Sequence, residues 1–105
     1  METTQKDGLA IAKRVSDKKY NFLDANRNYL FDEWFDFVGD FSDGLARIKR
    51  SDKKYNYIGE DGKILSDEWF SYVDYFDEYD LAKVKRSNGE WAKIDKQGKI
   101  VVVSE

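Results

Sequence analysis

The chain has 105 residues, enough for one domain with a modest core, and it carries neither cysteine nor histidine. That excludes a disulfide framework, thiolate metal sites, and the side chain that most often serves as general base or metal ligand. Charged residues reach 37 % yet net charge is only −3, and an aromatic content of 16 % supplies the apolar area that disordered chains lack.

No apolar run approaches the roughly 18 residues of a membrane span, so no membrane association is expected. The start, Met1-Glu2-Thr3-Thr4-Gln5-Lys6-Asp7, has no apolar signal-peptide core, which points to a cytoplasmic protein. Charge is arranged in blocks. Asp32, Glu33, Asp36, Asp40 and Asp43 follow one another with no base between them, as do Asp67, Glu68, Asp74, Asp77, Glu78 and Asp80. Arg47, Lys49, Arg50, Lys53 and Lys54 lie between the two blocks.

Taken in order, the chain is an internal repeat. Gly8-Leu9-Ala10, Gly44-Leu45-Ala46 and Asp80-Leu81-Ala82 open three units, followed by Lys13-Arg14, Lys49-Arg50 and Lys85-Arg86. Asp17-Lys18-Lys19-Tyr20-Asn21 matches Asp52-Lys53-Lys54-Tyr55-Asn56, and Asn88-Gly89-Glu90-Trp91-Ala92 takes that place in the third unit. Asp32-Glu33-Trp34-Phe35 matches Asp67-Glu68-Trp69-Phe70, and Val38 and Phe41 match Val73 and Phe76. The first unit has an extra residue near Val15 and the second has one near Glu78. A period of about 36 residues signals a repeat architecture within one domain, 1–105, with units near 7–42, 43–79 and 80–105.

Within a unit the apolar period is that of strands. Ala46 and Ile48 alternate with Arg47 and Lys49, and Ala82 and Val84 pair with Ala92 and Ile94 in the same way. Asn88-Gly89 predicts a two-residue hairpin turn with both residues at positive φ. Gly62 and Gly98 mark a second turn, where the first unit has Asn26-Arg27-Asn28 and asparagine is expected to take the left-handed position. A third short strand should follow at Ile64-Leu65 and from Ile100 to Val103. Trp34, Phe35, Val38 and Phe41, like Trp69, Phe70, Val73 and Phe76, fall at helical spacing, so a short helical turn there competes with a strand. The fold expected is all-β: tandem antiparallel hairpins, packed by aromatics contributed once per unit, with Trp34 and Trp69 in the core.

Phe41-Ser42-Asp43-Gly44-Leu45-Ala46 and the run from Trp91 to Val101 resemble the bacterial WG-repeat family. The likeness spans nearly the whole chain as two full repeats and a truncated third. The name-giving Trp-Gly dipeptide is replaced by Tyr20-Asn21, Tyr55-Asn56 and Trp91-Ala92. The resemblance implies a fold and a binding role, not a reaction. Tyr55-Asn56-Tyr57-Ile58, Asp61-Gly62-Lys63-Ile64 and Trp69 are also similar to choline- and glucan-binding repeats, with Glu68 in place of the glycine those repeats carry before tryptophan.

No constellation fixes a reaction, a cofactor or a metal. The adjacent acids Asp32-Glu33 and Asp67-Glu68 recur as repeat positions rather than as two carboxyls facing each other across a bond. No acidic run has the spacing of a calcium loop. The lysine-rich turns beside Tyr20, Tyr55 and Tyr57 could pair phosphates, but acids outnumber bases, so nucleic acid is disfavoured. The expectation is a non-enzymatic protein-binding module, in one version a small inhibitor or immunity-type protein, whose acidic faces meet a basic partner. Candidate contact residues are Tyr72, Asp74, Tyr75, Asp77, Glu78 and Tyr79, where the first unit has Phe37, Asp40 and Asp43. The contrasting expectation is a carbohydrate- or choline-type module using Tyr55, Tyr57 and Trp69. The C-terminal strand at Val101-Val102-Val103 is a candidate edge for self-association.

Overall fold

The computed structural model describes the backbone of residues 5–6 and 9–104. It is all-β, with no helix among the described residues. The strands are β1 (Gln5–Lys6), β2 (Leu9–Arg14), β3 (Lys19–Leu23), β4 (Phe37–Val38), β5 (Leu45–Lys49), β6 (Tyr55–Gly59), β7 (Tyr72–Phe76), β8 (Ala82–Lys85), β9 (Trp91–Ile94) and β10 (Ile100–Ser104). They form three antiparallel sheets in the orders β1-β2-β3, β4-β5-β6 and β10-β9-β8-β7. The molecule is elongated, 44 × 27 × 20 Å.

The sheets are joined by segments that belong to two sheets in succession. Phe35 exchanges both backbone hydrogen bonds with Tyr20 of β3, at 2.7 and 2.9 Å, and two residues later Phe37 is paired with Lys49 of β5. Phe70 does the same with Tyr55 of β6 before Tyr72 pairs with Lys85 of β8. This corrects the helical alternative at the Trp-Phe segments. Phe35, Val38 and Phe41 are buried at a spacing of three because the extended chain changes sheets between them, not because it coils.

Two buried asparagines hold the start of each joining segment. The Asn56 amide donates to the carbonyls of Ser66 (2.9 Å) and Glu68 (3.1 Å), and its carbonyl accepts from the backbone N–H of Tyr57 (2.7 Å) and Ser66 (3.3 Å). Asn21 makes the matching bonds to Phe31 and Phe22. Both side chains are completely buried. They satisfy backbone groups that a departing chain would otherwise leave unpaired. At the corresponding place in β9 stands Ala92, and there the partner strand β10 does not depart but stays paired past a register shift between Ile100 and Val102, with Val103 against Ala92. The expected strand at Ile64-Leu65 is reduced to a single bridge between Ile58 and Ile64.

Turn chemistry differs from expectation in two places. The two-residue turn with both residues at positive φ is Asp43-Gly44 (53° and 81°), closed by reciprocal Ser42–Leu45 hydrogen bonds. Asn88-Gly89 instead lies in a longer loop: Gly89 N–H donates to Arg86 O, Arg86 N–H donates to Glu90 O, and only Gly89 is left-handed. That is a type I turn followed by an αL residue, the next commonest hairpin closure. Lys53 (71°) holds the same place between β5 and β6, and Lys18 (60°) between β2 and β3. In the Asp24–Asn28 loop the left-handed residue is Arg27 (66°), not an asparagine.

The core lies in two parts on either side of β6. Leu9, Phe22, Phe35, Val38, Ile48 and Ile58 lead one part, with the Phe22 and Phe41 rings tilted against each other at 4.7 Å. Tyr57, Phe70, Val73, Val84 and Ile94 lead the other. Adjacent residues Tyr57 and Ile58 face opposite sides of the sheet and are both buried, so β6 is covered on both faces. Neither Trp34 nor Trp69 is among the fully buried residues, although Trp69 packs against the first part of the core. Both are half-buried, and each lies under a guanidinium, Arg14 at 4.5 Å and Arg50 at 3.9 Å from the ring centroid.

Candidate functional site

The six residues singled out from sequence occupy β7 and the loop that follows it. Tyr72 pairs with Lys85, which pairs with Trp91, so the three form one cross-strand row. The Tyr72 and Trp91 rings meet edge to face at 5.8 Å, with the Lys83 and Lys85 ammoniums 4.5 and 5.6 Å from the indole. Tyr72 is therefore exposed but held in place.

Between Val73 and Phe76 the β7–β8 register shifts. The shift has a visible cause. The Tyr57 hydroxyl, reaching across from β6, donates to the Asp74 carbonyl, and the Asp74 carboxylate accepts from the backbone N–H of Tyr75 at 2.8 Å. Both interactions take up polar groups that a regular ladder would have paired, and the resulting bulge re-aims the next side chain. Burial pushes the Tyr57 phenol pKa well above its ordinary value.

Tyr75, 61 % exposed, lies against Arg47, whose guanidinium sits 4.2 Å from the ring centroid while its Nη2 donates to the tyrosine oxygen at 2.9 Å. Arg47 Nε is buried without a hydrogen-bond partner. A cleft of about 20 Å³, lined by Asp40, Ser42, Arg47, Tyr57 and Tyr75 among others, opens beside it, with room for about one water.

Asp77 opens the β7–β8 loop. Its Oδ1 accepts from the backbone N–H of Tyr79 (2.9 Å) and of Leu81 (3.1 Å), and those bonds hold its carboxyl below the usual range. Glu78 and Tyr79 form the exposed tip, and Asp80, left-handed at 61°, pairs with Lys96 at 3.2 Å. The structure thus divides the six. Tyr72, Tyr75, Glu78 and Tyr79 face solvent, whereas the carboxylates of Asp74 and Asp77 are engaged by their own backbone.

The acidic blocks are likewise partly neutralised. Asp36 receives Lys19 and Lys53, Glu68 receives Arg86 through two hydrogen bonds of 2.7 and 3.1 Å, and Asp43 and Asp80 share Lys96. Asp32, Glu33, Asp40, Asp67 and Glu78 are in none of the ion pairs of the described residues. The platform Tyr55, Tyr57 and Trp69 does not assemble. Tyr57 is buried with its hydroxyl bound, Tyr55 is half-buried, and Trp69 is covered by Arg50.

One feature was missed from sequence. A lysine lies over the aromatic ring directly opposite it on the neighbouring strand in each sheet: Lys13 and Tyr20, Lys49 and Tyr55, Lys85 and Trp91. The offset between the two arms of each hairpin would have revealed it once the loop lengths were right.

No family model matches the chain, and no curated protein matches it. Among the described residues no group of carboxylates is placed to hold a metal ion, and no helix is long and apolar enough to cross a membrane.

Proposed function

We propose that this chain is a non-catalytic protein-recognition module that meets a basic partner surface through Tyr72, Tyr75, Glu78 and Tyr79, with Asp74 and Asp77 shaping that surface from behind. The observation that carries this reading is the exposure of three tyrosines, 41, 61 and 75 %, within eight residues of a chain whose other large aromatics are mostly buried or covered. Tyrosine offers large contact area at low entropic cost and is enriched among the residues that dominate binding energy. Tyr72 and Tyr75 are already fixed, by Trp91 and by Arg47, which lowers the ordering cost of contact. Glu78 at the tip gives the surface an unpaired negative charge suited to steering a basic partner. The likeness to WG repeats agrees with a binding role, and the inhibitor or immunity-type version is the form in which a module of this size would act alone.

The experiment is affinity capture from the source cell with the native chain and with a Glu78→Lys, Tyr79→Ala double variant. Neither residue makes a side-chain contact that the fold depends on, so loss of a captured protein reports on recognition. A partner held equally by both chains would overturn the reading. A change in tryptophan fluorescence on titration with choline or with oligosaccharides, and no protein captured, would favour the ligand-binding alternative.

A further inference from the structure

The first and second sheets meet in a groove of about 380 Å³ lined by Leu30, Phe31, Asp32, Glu33, Phe35, Ile58, Asp61, Gly62 and Ile64. Its floor is apolar and its rim carries three acids and no base. The groove is open, so it offers a surface along which a side chain can lie rather than a closed pocket.

The molecule supplies its own comparison. The residues at the corresponding places one unit on are Leu65, Ser66, Asp67, Glu68, Phe70, Ile94, Gln97, Gly98 and Ile100. There the turn is pressed onto the chain leaving the second sheet, since a β-carbon on Gly98 would stand 2.5 Å from the Leu65 carbonyl oxygen. At the first joint a β-carbon on Gly62 would stand 3.4 Å from the Leu30 carbonyl oxygen. The second joint is closed and the first is looser. Charge differs in the same direction. Glu68 is neutralised by Arg86 and Gln97 is uncharged, whereas Glu33 and Asp61 are in no ion pair of the described residues. Arg50, which corresponds to Arg86, is held away by Asp52 and by the face of Trp69. One Asp61 oxygen caps the Lys63 N–H at 3.0 Å, and the other has no such role. Ile64, at 39 % exposed, is an apolar side chain left open at the mouth.

We infer that this groove is a second contact site, taking a lysine-bearing peptide segment of a partner protein. The aliphatic stem of the lysine would lie over Leu30 and Ile64, and its ammonium would meet the rim carboxylates of Glu33 and Asp61. Long cationic side chains bind in this divided way, stem on apolar surface and charge at the polar edge. The inference rests on the protein-recognition reading and adds to it the chemistry of one contact.

The test uses amide-resolved NMR titration of the full chain with two peptides, tetralysine and Lys-Leu-Lys-Leu. Saturable shifts are expected at residues 30–33 and 61–64, none at 66–68 and 97–98, with the leucine-containing peptide binding more tightly. Glu33→Gln with Asp61→Asn, which keeps the Asp61 cap on Lys63, should weaken binding by roughly tenfold, while Asp67→Asn, at the exposed acid of the second joint, should not. Unaltered affinity in the double variant overturns the groove. Shifts confined to residues 72–79 and lost with Glu78→Gln also overturn it, while leaving the protein-recognition surface standing. No saturable shift with either peptide overturns the groove alone, because capture by the tyrosine surface is measured separately.

Discussion

Gly98 rests against the carbonyl of Leu65, so closely that a β-carbon on the glycine would stand 2.5 Å from that oxygen. This contact joins the hairpin turn of the third sheet to the chain leaving the second. Gly98 is also left-handed, at φ 83°. Gly98→Ala therefore meets two penalties, strain at positive φ and a backbone collision, and should destabilise by at least about 2 kcal/mol. Gly89→Ala, left-handed at 91° but in open space, should show only the first, near 1 kcal/mol. Paired denaturation midpoints check the difference.

The buried asparagines make a sharper demand. Asn56→Leu keeps the branched shape, adds some bulk, and strands the backbone groups of Tyr57, Ser66 and Glu68, at about 1–3 kcal/mol for each group left without a partner. A loss of several kcal/mol in urea unfolding is expected. Val103→Ala, on the exposed edge strand β10, should cost less than about 1 kcal/mol.

Lys53 sits at φ 71° where the corresponding loop between β8 and β9 has Gly89. Its one ion pair, 3.8 Å to Asp36, is exposed on the lysine side and contributes little. Lys53→Gly should relieve the strained conformation while enlarging the entropy of the unfolded chain, leaving a net gain of up to about 1 kcal/mol. A thermal melt that moves down instead would show that Lys53 holds more than its φ suggests.

Tyr57 gives stability a pH dependence on the alkaline side. Its phenol pKa is raised in the folded state by burial, so the folded chain keeps a proton that the unfolded chain releases above about pH 10. Stability is thus complete below that pH and falls as pH rises further. Asp36, held below the usual carboxylate range chiefly by Lys19, and Asp77, held there by backbone N–H groups, act in the opposite sense: their contribution is present at neutral pH and is lost as pH falls below about 4. Tyr57→Phe should flatten the alkaline limb, leave the acid limb, and cost about 0.5–1.5 kcal/mol at pH 7 through the lost bond to Asp74. Urea titrations at neutral pH and above pH 10 measure both effects.

The paired strands were legible in the sequence because alternation fixes which side chains face inward, and Ala46, Ile48, Ala82, Val84, Ala92 and Ile94 are all buried as that pattern requires. The segments around Trp34 and Trp69 were not. An extended chain that leaves one sheet for the next after two residues buries every third side chain and imitates a helix. Tryptophan's large apolar surface suggested core, but arginine covers it equally well, and Phe35 and Phe70 take the interior instead. Arg27 escaped notice as a left-handed residue because asparagines flank it. At the candidate site the tyrosines could be read from sequence as a departure from the first unit. The engagement of Asp74 could not, since it accompanies a register shift at the residue that Tyr57 reaches from another sheet, whereas Asp77 caps its own loop as Asp24 and Asp95 cap theirs.

The most direct test of the proposed recognition surface is hydrogen–deuterium exchange of the chain alone and with its captured partner. The account predicts slowed exchange over residues 72–79, weakened when salt is raised and absent in the Glu78→Lys, Tyr79→Ala variant. Protection that leaves residues 72–79 unchanged, or that persists in the variant, would contradict it.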